Sequence, residues 1–226
     1  MKLTLAAQAE TRTCEVDIRH AVIAGWTGRD REAMEKHIVE LEALGVPRPA
    51  ATPMYYRVAA ARLTTEPVIE VSGQDSSGEV EFVLLKHEGR LWIGIGSDHT
   101  DRKLETIGVA ISKQLCDKPI GETWWSWQDI APHWDSLVLH SWITEAGQRV
   151  LYQTGSVTTM RDPAELMAGY GDAGDDLPEG AVMFCGTLAA VGGIRFSESF
   201  EFELHDPVLN RSLHHAYRVA VLPIAG

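Results

Sequence analysis

The stretch Glu79-Val80-Glu81-Phe82-Val83-Leu84-Leu85 constrains this chain more than any other. Read as a strand, its side chains alternate between faces. Glu79, Glu81, Val83 and Leu85 share one face, and Val80, Phe82 and Leu84 share the other. Both faces are largely apolar, as in a strand buried on both sides. Two carboxylates on such a strand are costly, because like charges raise each other's pKa and burial adds to the penalty. A positive group is expected between them. The chain then turns through Lys86-His87-Glu88-Gly89-Arg90 and returns as Leu91-Trp92-Ile93-Gly94-Ile95. A two-residue loop at Glu88-Gly89 sets Asp98 opposite Glu79. Three carboxylates then converge at one end of a sheet. Three hard oxygen ligands without sulfur suit Mg²⁺, Mn²⁺ or Ca²⁺ rather than zinc. The same pattern also describes a solvated, charged strand edge that holds no metal.

Two weaker constellations accompany it. His37 and Glu40 lie one turn apart on an expected helix with apolar positions Met34, Ile38, Leu41 and Leu44, capped by Thr27 or Asp30 and stopped by Gly45 and Pro47. A carboxylate beside an imidazole orients it and raises its basicity, as a general base requires; a surface pair on a charged helix has the same spacing. Gly186-Thr187-Leu188-Ala189-Ala190-Val191-Gly192-Gly193 follows a strand ending at Cys185. Its N–H groups and the Thr187 hydroxyl could hold a carboxylate, and an ordinary turn reads the same way.

Composition narrows the classes. Lys and Arg total 20 against 32 Asp and Glu, a net charge of −12, with no basic cluster, so nucleic acid is not an expected partner. The longest apolar runs are about seven residues against the ~20 that span a bilayer, so no membrane is expected either. The apolar run near the start is too short for the core of a signal peptide, which points to the cytoplasm. Cys14, Cys116 and Cys185 are few, scattered and odd in number, which argues against a disulfide framework. One domain over 1–226 is expected, with no repeat and no composition shift.

Further strands are expected at 14–18, 21–24, 67–71, 136–143, 149–157, 181–185, 199–204 and 212–222, and helices over 103–115 and 163–170. Trp124, Trp125 and Trp127 are placed in a loop and could line a pocket, but core or interface packing is the expectation. Strands outnumber helices and the turns are short, so the class is α+β with a dominant β core.

Taken in order, these segments resemble the fumarylacetoacetate hydrolase family, in a bacterial branch catalogued as a domain of unknown function. The resemblance runs from about Val22 to Val221. It rests on Gly25 followed by His37 and Glu40, on Pro53-Met54-Tyr55-Tyr56-Arg57-Val58, and on Glu79-x-Glu81. It continues through Asp98-His99-Thr100-Asp101-Arg102-Lys103 and Gly186-Thr187-Leu188-Ala189-Ala190-Val191-Gly192. Arg57-Val58 stands where the family has Lys-Pro, Lys103 where it has Asp, and Leu188 and Ala190 where it has Pro and Gly.

The resemblance implies a mixed β-sheet roll or barrel core with flanking helices, a homodimer, and a metal enzyme acting on a small anionic oxo acid. Glu79, Glu81 and Asp98 would hold the cation, Mg²⁺ or else Mn²⁺ or Ca²⁺. His37, oriented by Glu40, would move a proton. Lys118, with Lys113 as the rival, would serve as the catalytic lysine. Tyr56, Arg57, Arg102 and Thr187 would bind substrate. The implied reaction is hydrolysis of a carbon–carbon bond in an acylpyruvate-like diketo acid through an enolate. A decarboxylase, hydratase or keto–enol isomerase in the same fold, or a non-catalytic metal-binding homologue, are the alternatives.

Overall fold

A computed structural model describes residues 1–43, 48–171 and 176–225, except the side chains of residues 37, 40, 41 and 43. In chain order the strands are β1 (Lys2–Ala7), β2 (Glu10–Glu15), β3 (His20–Gly25), β4 (Met54–Val58), β5 (Leu63–Thr64), β6 (Val68–Ser72), β7 (Ser76–Ser77), β8 (Val80–His87), β9 (Arg90–Ser97), β10 (Thr100–Asp101), β11 (Lys118–Pro119), β12 (Thr123–Ser126), β13 (Val138–Glu145), β14 (Gln148–Ser156), β15 (Ala181–Thr187), β16 (Ser199–Asp206) and β17 (Arg211–Leu222). The helices are α1 (Arg31–Ala43), α2 (Arg102–Glu105), α3 (Val109–Leu115), α4 (Trp127–Ile130) and α5 (Pro163–Tyr170). Eight strands form a mixed sheet in the order β2-β1-β12-β9-β8-β15-β3-β4, and five form a second in the order β14-β13-β16-β17-β6. The class is α+β as expected, and the sheets stay open rather than closing into a barrel.

The hairpin formed by β8 and β9 has the register its two-residue loop demands: Val80 faces Ser97 and His87 faces Arg90. Glu88 (φ 52) and Gly89 (φ 68) both take the left-handed conformation that matches strand twist. Val80, Phe82 and Leu84 pack with Phe200, Phe202 and Tyr217 of the five-stranded sheet. Val83 and Leu85 pack with Leu3, Trp92, Trp124 and Phe184 in a second cluster. That second cluster draws most of its members from one face of a single sheet, from Leu3 and Leu5 of β1 to Val58 of β4. The sheet therefore rolls round and buries this face largely against itself. Each large side chain so removed from water contributes roughly 1.5–3 kcal/mol.

Four expectations are corrected. A strand at 14–18 is replaced by β2, which ends at Glu15 where its pairing with β1 ends. β1 itself was not expected; its parallel partner is β12, with Thr4 facing Thr123, and no local signal announces a pairing over that separation. Trp124 and Trp125 pack in the core as expected, but as strand residues of β12, and Trp127 opens α4, so their placement in a loop is corrected. The helix expected over 103–115 is two short ones, α2 and α3, broken at Thr106–Gly108. Its apolar stripe is inverted. Ile107, Ile111 and Leu115 are exposed, whereas Ser112 and Lys113 are buried.

Candidate metal centre

The site is assembled where the hairpin opens. Asp98 N–H donates to the Glu79 carbonyl at 3.0 Å, extending the ladder one step past β8 and β9. One carboxylate oxygen from each of Glu79, Glu81 and Asp98 then lies within 4.8 Å of the others. Glu81 is 3% and Asp98 0% exposed. The neighbouring strand β15 adds a bulge here: Phe184 faces Val83 but Thr187 faces Glu81. The bulge carries Gly186 at φ 99, and its N–H donates to Glu81 Oε2 at 2.6 Å. A Cβ at Gly186 would stand 1.8 Å from Thr27 Oγ1, so only glycine fits.

Cations surround the carboxylates. Lys113 Nζ donates to Asp98 Oδ2, and Lys118 Nζ stands 3.0 Å from Asp98 Oδ1. Arg102 pairs with Glu79 at 3.0 Å and with Glu105 at 3.0 Å. Burial alone would push the Asp98 carboxyl up, but Lys113 and Lys118 outweigh it and hold Asp98 below the usual carboxylate range. Glu81 goes the other way. Burial, then Asp98 and Glu79, push its carboxyl well above the ordinary value. Burial and the neighbouring Lys113 push Lys118 down, whereas Asp98 and Glu79 hold Lys113 up against its burial.

These residues fit a divalent cation. Asp98 Oδ1 is buried and, among the described residues, meets Lys118 Nζ at 3.0 Å without an in-line hydrogen bond. Among the described residues, four carboxylates (Glu79, Glu81, Asp98, Glu105) meet three cations (Arg102, Lys113, Lys118), and no ion pair is made by Glu81. An all-oxygen donor set of this kind suits Mg²⁺ or Mn²⁺.

Behind the carboxylates lies a buried polar network. His99 Nδ1 is 2.8 Å from the Tyr217 hydroxyl and Nε2 is 2.9 Å from Ser76 Oγ. Tyr217 meets Ser97 Oγ at 2.9 Å, and Ser97 Oγ accepts the Glu79 N–H at 3.2 Å. Burial, then Lys118 and Arg102, push His99 down to about 3, so the ring is neutral and can accept on one nitrogen. Tyr217 belongs to β17, so the second sheet braces the site.

The three carboxylates open into a cavity of about 690 Å³, also lined by Arg102, Glu105, Lys113, Tyr56 and Thr187. Of the two candidate lysines, Lys113 lines it, while Lys118 is fully buried behind Asp98 and donates to the His99 carbonyl. Tyr56 faces the cavity and its hydroxyl accepts from Trp26 Nε1 at 3.2 Å. Arg57 does not: the next residue on β4 points the opposite way, to His20 Nδ1 at 2.8 Å and the Tyr170 hydroxyl at 3.2 Å. Its expected place at the substrate is corrected by strand alternation. The Thr187 hydroxyl donates to the Val80 carbonyl at 2.8 Å, which occupies its one proton. His37 and Glu40 fall on α1, but their side chains lie outside the described residues. Sequence reasoning missed Gln153, which no motif marks. Its amide accepts from Val80 N–H and Ser141 and donates to Thr187 and Leu188, closing the cavity wall. It also missed Trp26 and Glu105 on that wall.

The fold is that of the fumarylacetoacetate hydrolase family. A protein from Oleispira antarctica, provisionally assigned as a fumarylacetoacetate isomerase/hydrolase, matches at 20% identity over 97% of this chain and 100% of its own, with a TM-score of 0.65. A 2-keto-3-deoxy-D-arabinonate dehydratase, complexed with magnesium and 2,5-dioxopentanoate, matches at 15% identity over 95% of this chain and 77% of its own, TM-score 0.65. A yeast fumarylacetoacetate hydrolase family protein matches at 15% over 92% and 96%, TM-score 0.61. No curated protein matches the chain. Within this fold, the chain belongs to the family described as "Protein of unknown function (DUF2848)", whose model matches residues 24–217.

Proposed function

We propose that this chain is a divalent-metal-dependent enzyme acting on small 2-oxo acids, and that its reaction is hydrolysis of a carbon–carbon bond in a diketo acid. The observation that carries the reading is the gathering of Glu79, Glu81 and Asp98 at a cavity wall, one oxygen of each within 4.8 Å of the others. These three residues would hold Mg²⁺ or Mn²⁺, and a cation there supplies Lewis-acid polarisation of a 2-oxo carboxylate. Lys113 stands on the same wall, where an ammonium stabilises negative charge building on a substrate oxygen. Lys118 keeps Asp98 ionised from behind, and Arg102 fixes Glu79. Thr187 and Gln153 hold each other and shape the wall rather than offer a free proton. α1, whose Ala33 and Met34 line the cavity, carries His37 and Glu40 as the proton-moving pair.

A lyase that removes water from a 2-oxo acid is the second reading, favoured by the magnesium-bound dehydratase of the same fold. The test incubates the purified protein with Mg²⁺ or Mn²⁺ and a panel of diketo and 2-oxo acids. Two carboxylic or oxo fragments are expected. Loss of water transfers the assignment to the second reading. Replacing His37 by Ala should abolish turnover and leave calorimetric metal binding intact; unchanged turnover removes His37 from the mechanism.

A further inference from the structure

The wall of the cavity away from the charged groups has a chemistry of its own. Among the described residues, its only cations are Arg102 and Lys113, and both are already paired with Glu79, Glu105 or Asp98. Besides the polar Thr27, Tyr56, Gln153, Thr159 and Thr187, the lining carries an apolar set: Trp26, Met34, Val109, Leu188, Ala190 and Ile194. One further charged residue lines it, Asp30, an acid whose Oδ1 accepts the first N–H groups of α1. Trp26 adopts φ 58, a left-handed conformation that costs on the order of 1 kcal/mol for a non-glycine residue. Strain of this kind persists where a site needs it. Loop residues after Thr187 are held against the cavity by Arg195. Its guanidinium donates to the carbonyls of Val191 at 2.8 Å and Gly193 at 2.7 Å and lies 5.3 Å from the Tyr152 ring centroid.

We propose that the site takes a 2-oxo acid with one carboxylate and an apolar tail, and discriminates against acids with a second anionic group. The inference deepens the function proposed above and rests on it. The acid head meets Arg102 and Lys113, the cations that line the cavity among the described residues. The tail lies against Trp26, Met34, Leu188 and Ile194, where each buried methylene is favourable. A second carboxylate would have to leave water for a wall that, among the described residues, has no free cation and carries Asp30, which is costly. Ile194 is the specificity position: it is 57% exposed, so a long polar side chain fits there without disturbing the core.

The test is calorimetric titration of the Mg²⁺-loaded full chain with pyruvate, 2-oxobutanoate, 2-oxopentanoate, 2-oxohexanoate and 2-oxoglutarate. Affinity should rise about threefold per added methylene. By the desolvation argument, 2-oxoglutarate should bind at least about tenfold more weakly than 2-oxopentanoate, which has the same five-carbon chain. Ile194→Arg should narrow or reverse that last difference. A flat series, or 2-oxoglutarate bound as tightly as 2-oxopentanoate, overturns the inference while leaving a 2-oxo acid site standing. Mg²⁺ binding with no heat from any of the acids overturns the function itself, and this inference with it.

Discussion

Two buried carboxylates, Asp206 and Glu81, sit at strand ends in this molecule and are treated in opposite ways. Asp206, 0% exposed, accepts the N–H groups of Val208 and Leu209 at 3.1 Å each, and meets His133 at 3.1 Å and Arg211 at 3.2 Å. Its burial is outweighed by the Leu209 N–H, His133 and Arg211, and its carboxyl stays below the ordinary value. Among the described residues Glu81 receives one N–H, from Gly186, and its carboxyl is pushed well above the ordinary value by burial, Asp98 and Glu79. A carboxylate that only holds a fold is fully bonded. A carboxylate left short of positive partners, beside two others, is built for a partner the chain does not supply.

The comparison can be broken by substitution. Asp206→Ala strands Arg211 and His133 and frees two N–H groups, so urea unfolding should reveal a loss of about 2–3 kcal/mol. A loss under about 1 kcal/mol would deny Asp206 its structural role. Glu81→Gln should erase the stabilisation that Mg²⁺ gives wild type, about 2.7 kcal/mol at a hundredfold excess over the dissociation constant. Scanning calorimetry with and without EDTA checks it; equal shifts in both proteins would end the metal assignment. In EDTA the same variant should be unchanged or about 1 kcal/mol more stable than wild type, the reverse of Asp206→Ala, because an unpaired buried acid is removed.

A pH series sharpens the contrast. The folded value of Asp206 is depressed below the ordinary aspartate value of 3.8, so its contribution is complete above that pH and is lost as pH falls below it. Wild type should therefore lose stability below about pH 3.8 more steeply than Asp206→Asn. The smallest effect belongs to an exposed pair. Arg149 grips Glu201 through two bonds of 2.7 Å, yet Arg149 is half exposed and Glu201 partly so, so Arg149→Ala should cost about 0.5 kcal/mol, most of it lost in high salt.

What the sequence made legible was local. The two-residue loop at Glu88-Gly89 fixes register without reference to the rest of the chain, and register alone brought Asp98 to Glu79. Arg57 was misread although strand alternation was there to correct it, since adjacent residues on a strand cannot both face one cavity and Tyr56 takes that place. Lys113 against Lys118 was not, because spacing along the chain says nothing about which ammonium reaches a wall and which is sealed behind Asp98. The inverted α3 explains why periodicity misled there: a short helix beside a charged site buries its lysine and leaves Ile111 in water. Gln153 carries four hydrogen bonds in the fold and no sign of them in its neighbours.

The parallel pairing of β1 with β12 has a temporal consequence. Thr4 meets Thr123 only after the intervening chain has been made. At ribosomal speeds of ~5–20 residues per second, the β1–β2 ribbon waits roughly 6 to 24 seconds for its neighbour. During translation its open edge must be tolerated, or shielded by a chaperone, before the roll can be completed.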